Sequence, residues 1–286
     1  MSARLFPALL KYWRNRHGQS QLDLALESGV SARHISFLES GRAMPSEEMV
    51  LRLVSVLGLS LRDQNEALTV AGYAPRFPEP ELQEISPEIE WAIDRMLAQQ
   101  EPYPMTVLSS DYCIFRRNVA AGRIFQLFMA NPPRPDQTPN MFALVFDPAQ
   151  AKPFVVDWPQ VAHHMLARLH REALQNPGDA RLPALLDRVM QYPDVKDEWR
   201  RPDFSAELGS TLSICLRRGE LAVRFMTTVT TFAAPRLVTL EELRIESYFP
   251  LDQATREICE KLHLVKPGSS QASIGLIDQT SQESSP

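Results

Sequence analysis

The stretch Ser20–Arg42, SQLDLALESGVSARHISFLESGR, decides how the first part of this chain folds. Ser20 has the hydroxyl of a helix N-cap and opens a short helix, Gln21–Ser28, whose inward residues read as Leu22, Ala25 and Leu26. Gly29 and Val30 make a turn, Ser31 caps the next helix, Ile35 and Leu38 form its buried face, and Gly41 stops it. Two short helices around a glycine turn fit many helical hairpins; the full spacing narrows the choice. Gln21 starts the first helix, small Ala25 lies where the helices cross, and the second helix is under three turns long. Such a helix suits presenting its N-terminal residues in a DNA major groove ~12 Å wide.

Working outward, Leu5, Phe6, Leu9, Leu10 and Trp13 recur at helical spacing before Gly18. Ser46 starts a fourth helix with Val50, Leu53, Val54 and Leu57, and a fifth runs from Leu61 through Gln64, Leu68 and Ala71 to Gly72. The proline-rich residues 74–86 read as an extended linker between a 1–73 helix-turn-helix domain and a second domain at 87–263. The Ser- and Gln-rich tail, 264–286, is expected to be disordered.

In the second part the pattern predicts a helix over Pro87–Gln100, strands over Met105–Ser109 and Tyr112–Arg117, and a helix over Val119–Met129 capped by Asn118. After a proline-rich loop, 131–140, come helices Val161–Ala173 and Leu182–Gln191. Strands follow over Thr211–Arg218, Glu220–Phe232 and Glu241–Phe249, then a helix over Asp252–Leu262. This order defines an α+β multidomain protein, an all-α five-helix DNA-binding domain followed by an antiparallel-sheet domain with covering helices. Glu241, Glu242 and Glu246, near Arg244, read as a surface ion-pair array.

The net charge of −5 divides unevenly. Residues 1–76 carry nine Lys/Arg against seven Asp/Glu, and the remainder carries 21 against 28. DNA therefore attracts the first part and repels the second. Cys113, Cys215 and Cys259 are isolated, which argues against disulfides and fits a cytoplasmic protein. No apolar stretch approaches a membrane span, so no membrane partner is expected. A phosphate-binding glycine loop, a paired His/Glu metal motif and a nucleophile elbow are all missing from the sequence. His163 and His164 are adjacent and diverge by about 100° on a helix, a poor metal pair. The expectation is a protein that is not an enzyme, with no metal and no cofactor.

Residues 1–73 resemble the helix-turn-helix of the XRE and phage-repressor family. The matching positions are Gln21, Leu22, Leu24 and Ala25, then Gly29, Val30 and Ser31, then Ile35, Ser36, Leu38, Glu39, Gly41 and Arg42, and finally Pro45 and Ser46. On this resemblance Gln21 donates to a phosphate, and Ser31 and His34 touch the backbone. Ala32, Arg33, Ser36 and Phe37 are candidates for base edges, with Arg33 forking onto a guanine and Ala32 or Phe37 meeting a thymine methyl. Arg42 reads as a phosphate contact, and Glu39 as a structural residue ordering the loop around it.

The second part resembles the ligand-binding domain of MmyB-like transcriptional regulators. The resemblance rests on Glu101–Pro104, Tyr112, Asn118, Pro153–Trp158 and the run from Leu240 through Leu243–Pro250. Tyr112 stands where that family commonly has Trp. A PAS-like fold is implied, an antiparallel sheet with helices over one face, enclosing a hydrophobic cavity for a long-chain fatty acid or similar lipid effector. Candidate lining residues are Val107, Ile114, Phe125, Trp158, Phe225, Val229 and Ile245, although each also reads as ordinary core. An acidic ligand head would want Arg116, Arg117, Arg224 or Arg244, and the sequence does not choose among them.

The resulting expectation is a sequence-specific transcriptional regulator that binds double-stranded DNA as a homodimer and senses a hydrophobic small molecule. The alternative is a second domain that serves only dimerisation or partner recruitment.

Overall fold

The computed structural model describes residues 5–81, 84–134, 137–176, 179–201 and 212–264, so the tail expected beyond Leu264 lies outside the described residues. The chain forms two compact units. The first contains residues 1–83 together with 176–179 and Phe232–Glu241, and the second contains the rest.

In the first unit five helices enclose one core: α1 Leu5–Arg16, α2 Gln21–Ser28, α3 Ala32–Glu39, α4 Glu47–Val56 and α5 Leu61–Val70. Four of them start alike. The hydroxyls of Ser20, Ser31, Ser46 and Ser60 accept from the backbone N–H of Asp23, His34, Met49 and Asp63, three residues on in each case. Each hydroxyl satisfies an N–H that the helix itself leaves without a partner. Ser20 and Asp23 do so reciprocally, which completes a capping box and holds the Asp23 carboxyl below its usual pKa. Gly29 ends α2 at φ 68°, a left-handed conformation that would strain a side chain although the space beside it is open.

The structure corrects the inward face of α2. Leu22 and Leu26 are 57% and 72% exposed, whereas Leu24, Ala25 and Ser28 are buried. Ala25 belongs to both possible faces, so apolar spacing over eight residues does not fix the helix's rotation.

Residues 74–80 form neither helix nor strand, and they are pinned. The Asn65 carboxamide oxygen on α5 accepts from the N–H groups of Arg76 and Phe77 (2.9 and 3.0 Å), and its nitrogen donates to the Phe77 carbonyl at 2.7 Å. Phe232–Glu241, assigned from sequence to the second domain, packs in this unit. Val238 N–H donates to the Pro78 carbonyl at 3.0 Å, and the Thr239 hydroxyl donates to that of Pro80 at 2.6 Å. The Glu241 carboxylate accepts from Leu61 N–H, at the start of α5, at 2.7 Å. Val238 and Leu240 are buried.

The second unit is built on one five-stranded antiparallel sheet of order β2-β1-β5-β4-β3. Its strands are β1 Met105–Leu108, β2 Ile114–Arg117, β3 Leu212–Arg218, β4 Leu221–Thr230 and β5 Arg244–Pro250. Its helices are α6 Pro87–Gln100, α7 Val119–Phe128, α8 Met141–Phe146, α9 Trp158–Gln175, α10 Arg181–Val189 and α12 Gln253–Leu264. The short helix α11, Val238–Glu242, precedes β5, so the strand expected over Glu241–Phe249 starts later, at Arg244.

Side chains alternate across the sheet. The register places Arg117, Thr106, Glu246 and Val229 in one row, with Ile114, Leu108, Arg244, Tyr248, Phe225, Ile214 and Leu216 on the same face. Val107, Ile245 and Arg116 share the opposite face, where α6 packs against β1 and Glu90 and Asp94 bind the Arg116 guanidinium.

The expected surface array is instead a buried network. Glu246 is 5% exposed and accepts from Arg168 at 3.3 Å and from the Tyr248 hydroxyl at 3.0 Å. Glu172 accepts from the Tyr112 hydroxyl (2.7 Å), Arg168 (3.0 Å) and Arg244 (2.9 Å). The Arg168 and Arg244 guanidiniums lie over the Tyr112 ring at 5.4 and 4.8 Å. Burial and the neighbouring Glu172 push the Tyr112 hydroxyl's pKa far up, so it remains a donor. Glu241 and Glu242 belong to α11, where Glu242 accepts from Arg181 at 2.8 Å and Glu241 from Leu61 N–H.

Glu241→Ala leaves the first N–H of α5 without this acceptor. We expect a loss of about 1 kcal/mol in the unfolding free energy of the first unit, read by urea denaturation followed on its helical signal.

Candidate nucleic-acid interface and ligand cavity

The DNA-facing candidates lie on and around α3. Ile35 and Leu38 are fully buried, which turns the opposite side of the helix outward. Arg33 is exposed, and Ala32, His34, Ser36 and Phe37 are partly so. The Arg33 guanidinium lies 5.3 Å from the Phe37 ring centroid, and that of Arg42 lies 6.0 Å from the same ring. Phe37 thus holds two cationic groups near one surface. Among the described residues neither arginine forms an ion pair, so both keep their donors for another partner. The Ser31 hydroxyl accepts from His34 N–H at 3.2 Å and retains its own proton.

Behind this surface is a group that the sequence reading placed differently. Glu39 does not bind the loop around Arg42. Its side chain is 3% exposed and takes a forked pair from Arg14 of α1, at 2.5 and 3.0 Å. It also accepts from the Gln21 carboxamide at 2.7 Å. Arg14 spends its remaining donors on the Asn15 side chain and the Gln19 carbonyl, and the bond to Glu39 raises its pKa. One carboxylate therefore joins α1, the start of α2 and the end of α3. Arg14 escaped the sequence reading because a single arginine on an apolar helix normally reads as a solvated side chain.

Glu39→Ala leaves Arg14 buried without its counter-charge. A loss of about 3 kcal/mol in the first unit's stability is expected in urea denaturation, and Arg14→Met in the same chain recovers most of it.

In the second unit α7, α8 and the inward face of the sheet line a partly open cavity of about 60 Å³. Phe125 and Phe128 from α7, Met141 and Val145 from α8, Phe225 from β4 and Tyr248 from β5 are among its walls. All its lining residues are apolar except Tyr248, whose hydroxyl is turned to Glu246. Phe225 and Tyr248 meet edge to face, with centroids 6.3 Å apart.

Of the seven sequence candidates, Phe125 and Phe225 line the cavity. Ile114 and Trp158 are buried in the same core without reaching it. Trp158 donates to the Val145 carbonyl at 2.8 Å and carries Lys152 over its ring at 3.9 Å, so it fastens α9 to α8. Val107 and Ile245 face each other on the opposite side of the sheet, a consequence of strand alternation. Val229 shares the cavity's face but lies near the end of β4, 42% exposed. The sequence reading missed Met141, Leu144 and Val145. Their apolar run, MFALVF, carries no periodicity that separates helix from strand.

Among the described residues no cluster of three or more His, Cys, Asp or Glu could hold a metal, and no helix is long and apolar enough to cross a membrane.

A helix-turn-helix surface on one unit and a partly open apolar cavity in the other fit a ligand-responsive DNA-binding protein. Two family descriptions match the chain: "MmyB-like transcription regulator ligand binding domain" over residues 89–262, and "Helix-turn-helix" over residues 10–64. The first covers more than half of the sequence, and the chain belongs to the MmyB-like transcription regulators. Both matched domains are transcription-regulator domains rather than enzymes. No curated protein matches the chain. A solved structure described as "Structure of an RNA-binding Light-Oxygen-Voltage Receptor" is 12% identical and covers 96% of this chain and 59% of its own, at a TM-score of 0.28. This chain therefore spans less than two thirds of that receptor's length, and a likeness at that score establishes no shared fold.

Proposed function

We propose that this regulator binds a two-fold-related operator as a homodimer and that an apolar effector, a long-chain fatty acid or similar lipid, occupies the cavity of the second unit. The apolar lining of that cavity, broken only by Tyr248, carries the ligand reading. A pocket so nearly apolar selects by hydrophobic burial and disfavours polar metabolites. At about 60 Å³ the cavity is smaller than the roughly 300–1,000 Å³ of drug-sized ligand sites. A long acyl chain therefore requires the flexible side chains of Met129 and Met141, and the half-buried Phe125, to give way. The single antiparallel sheet with α7, α8 and α9 over one face supports the PAS-like reading.

On DNA, Arg33 is assigned to a guanine edge, and Ala32, Ser36 and Phe37 to neighbouring base edges. Ser31, His34 and Arg42 are assigned to phosphates. Gln21 uses one amide hydrogen on Glu39 and offers the other to a phosphate. Effector binding favours one arrangement of the paired DNA-binding units over another, a population shift.

Mass spectrometry of solvent extracted from natively purified protein should show a long-chain acid or lipid. Ala121→Leu, which fills the cavity, should remove it while operator binding persists. Protein that carries no lipid, and whose operator affinity no fatty acid alters, would leave the second unit with assembly alone.

Arg33→Ala should cost about 1–3 kcal/mol of discrimination at one operator position, read by binding to operators substituted base by base. Arg42→Ala should weaken binding to all sequences alike and reduce the salt slope by about one.

A further inference from the structure

The cavity holds an apolar tail but offers no partner for an anionic head, so the head must meet a group at the cavity wall. Four arginines were open from sequence, and the structure separates them. Arg116 faces away from the cavity and is bonded to Glu90 and Asp94 of α6. Arg244 is engaged by Glu172 and by the Ser110 carbonyl. Arg224 is exposed, next in sequence to Phe225 on β4, so alternation turns it to the opposite face. A fifth arginine, Arg218, lies on the Phe154 ring at 4.2 Å and donates to the Met129 carbonyl at 2.9 Å.

Arg117 differs from all of them. It pairs with Thr106 across β1 and so projects on the same face as Tyr248 and Phe225. Its guanidinium lies 5.6 Å from the centroid of Phe125, a ring that is itself part of the cavity wall. It packs beside Gly122 of α7. A Cβ there would sit 3.8 Å from the Arg117 Nε. Among the described residues Arg117 has no carboxylate partner, and its burial lowers the guanidinium's pKa with nothing to offset the effect. A half-buried cation without a counter-charge, resting on a wall of an apolar cavity, is complementary to an amphiphile with one anionic head.

We infer that Arg117 binds the anionic head of the effector, whose tail displaces the Phe125 side of the cavity. This rests on the cavity being the effector site, as proposed above. The forked guanidinium fits a carboxylate with two parallel hydrogen bonds, which a neutral alcohol head does not reproduce.

The test compares dodecanoate with dodecanol, titrated calorimetrically into full-length protein at neutral pH. The wild type should prefer the acid by about tenfold or more, the range expected of a charge-assisted hydrogen bond. Arg117→Gln should abolish that preference with the alcohol's affinity unchanged, and Arg117→Lys should restore part of it. Arg117→Met keeps an apolar stem on Phe125 and provides the same reading should the Gln variant fail to fold. Arg116→Gln should leave the preference intact. A preference for the acid that survives in Arg117→Gln or Arg117→Met overturns the assignment and leaves the cavity reading standing. A wild type that binds neither probe overturns the cavity reading, and the assignment with it.

Discussion

A carboxylate almost sealed from water must be matched by donors, because an unmatched buried charge costs several kcal/mol. In the first unit that constraint acts at Glu39. Its two oxygens are bound by Arg14 and Gln21, so α1 and α2 meet the end of α3 in one arrangement. The exposed side of α3, with Arg33, Phe37 and nearby Arg42, is aimed by this hidden side. The second unit repeats the device with Glu172 and Glu246, whose arginines fasten α9 to β5 beside the cavity. In both units the polar interior sets orientation, and the apolar interior supplies most of the burial that favours folding.

Much of this was legible in the sequence because it is local. The serines at 20, 31 and 46 and the glycines at 29 and 41 mark helix ends through their own backbone chemistry, and each end falls close to its mark. The strands of the sheet announce themselves through β-branched and aromatic residues. Features decided by distant partners were not legible. Nothing near Glu246 in sequence shows that Arg168 will lie across from it, so a run of charges reads as surface. The rotation of α2 follows the burial of Leu24, Ala25 and Ser28 against distant helices, and Gln21 reaches Glu39, 18 residues away. The cavity's outline depends on which strand face each residue takes, which is why Val107 and Ile245 fall outside it.

The two units divide the physical labour. The DNA-facing unit uses exposed cations on a helical frame, and residues 1–76 are net positive where the remaining chain is negative. The sensing unit uses the opposite chemistry, an apolar enclosure with flexible methionines in its walls. Phosphate contacts respond to salt, whereas an apolar site responds to the apolar area that a ligand would bring.

The first unit is discontinuous along the chain. Val238 and Leu240, buried against it, and Glu241, which caps α5, come from a segment far downstream of α5. During synthesis the five helices can assemble early through their local contacts, but their last layer arrives only after β4 has been made. The DNA-binding unit is thus complete only once the sequence of four of the sheet's five strands has been made. A chain truncated before this segment lacks Val238, Leu240 and the Glu241 carboxylate at the start of α5.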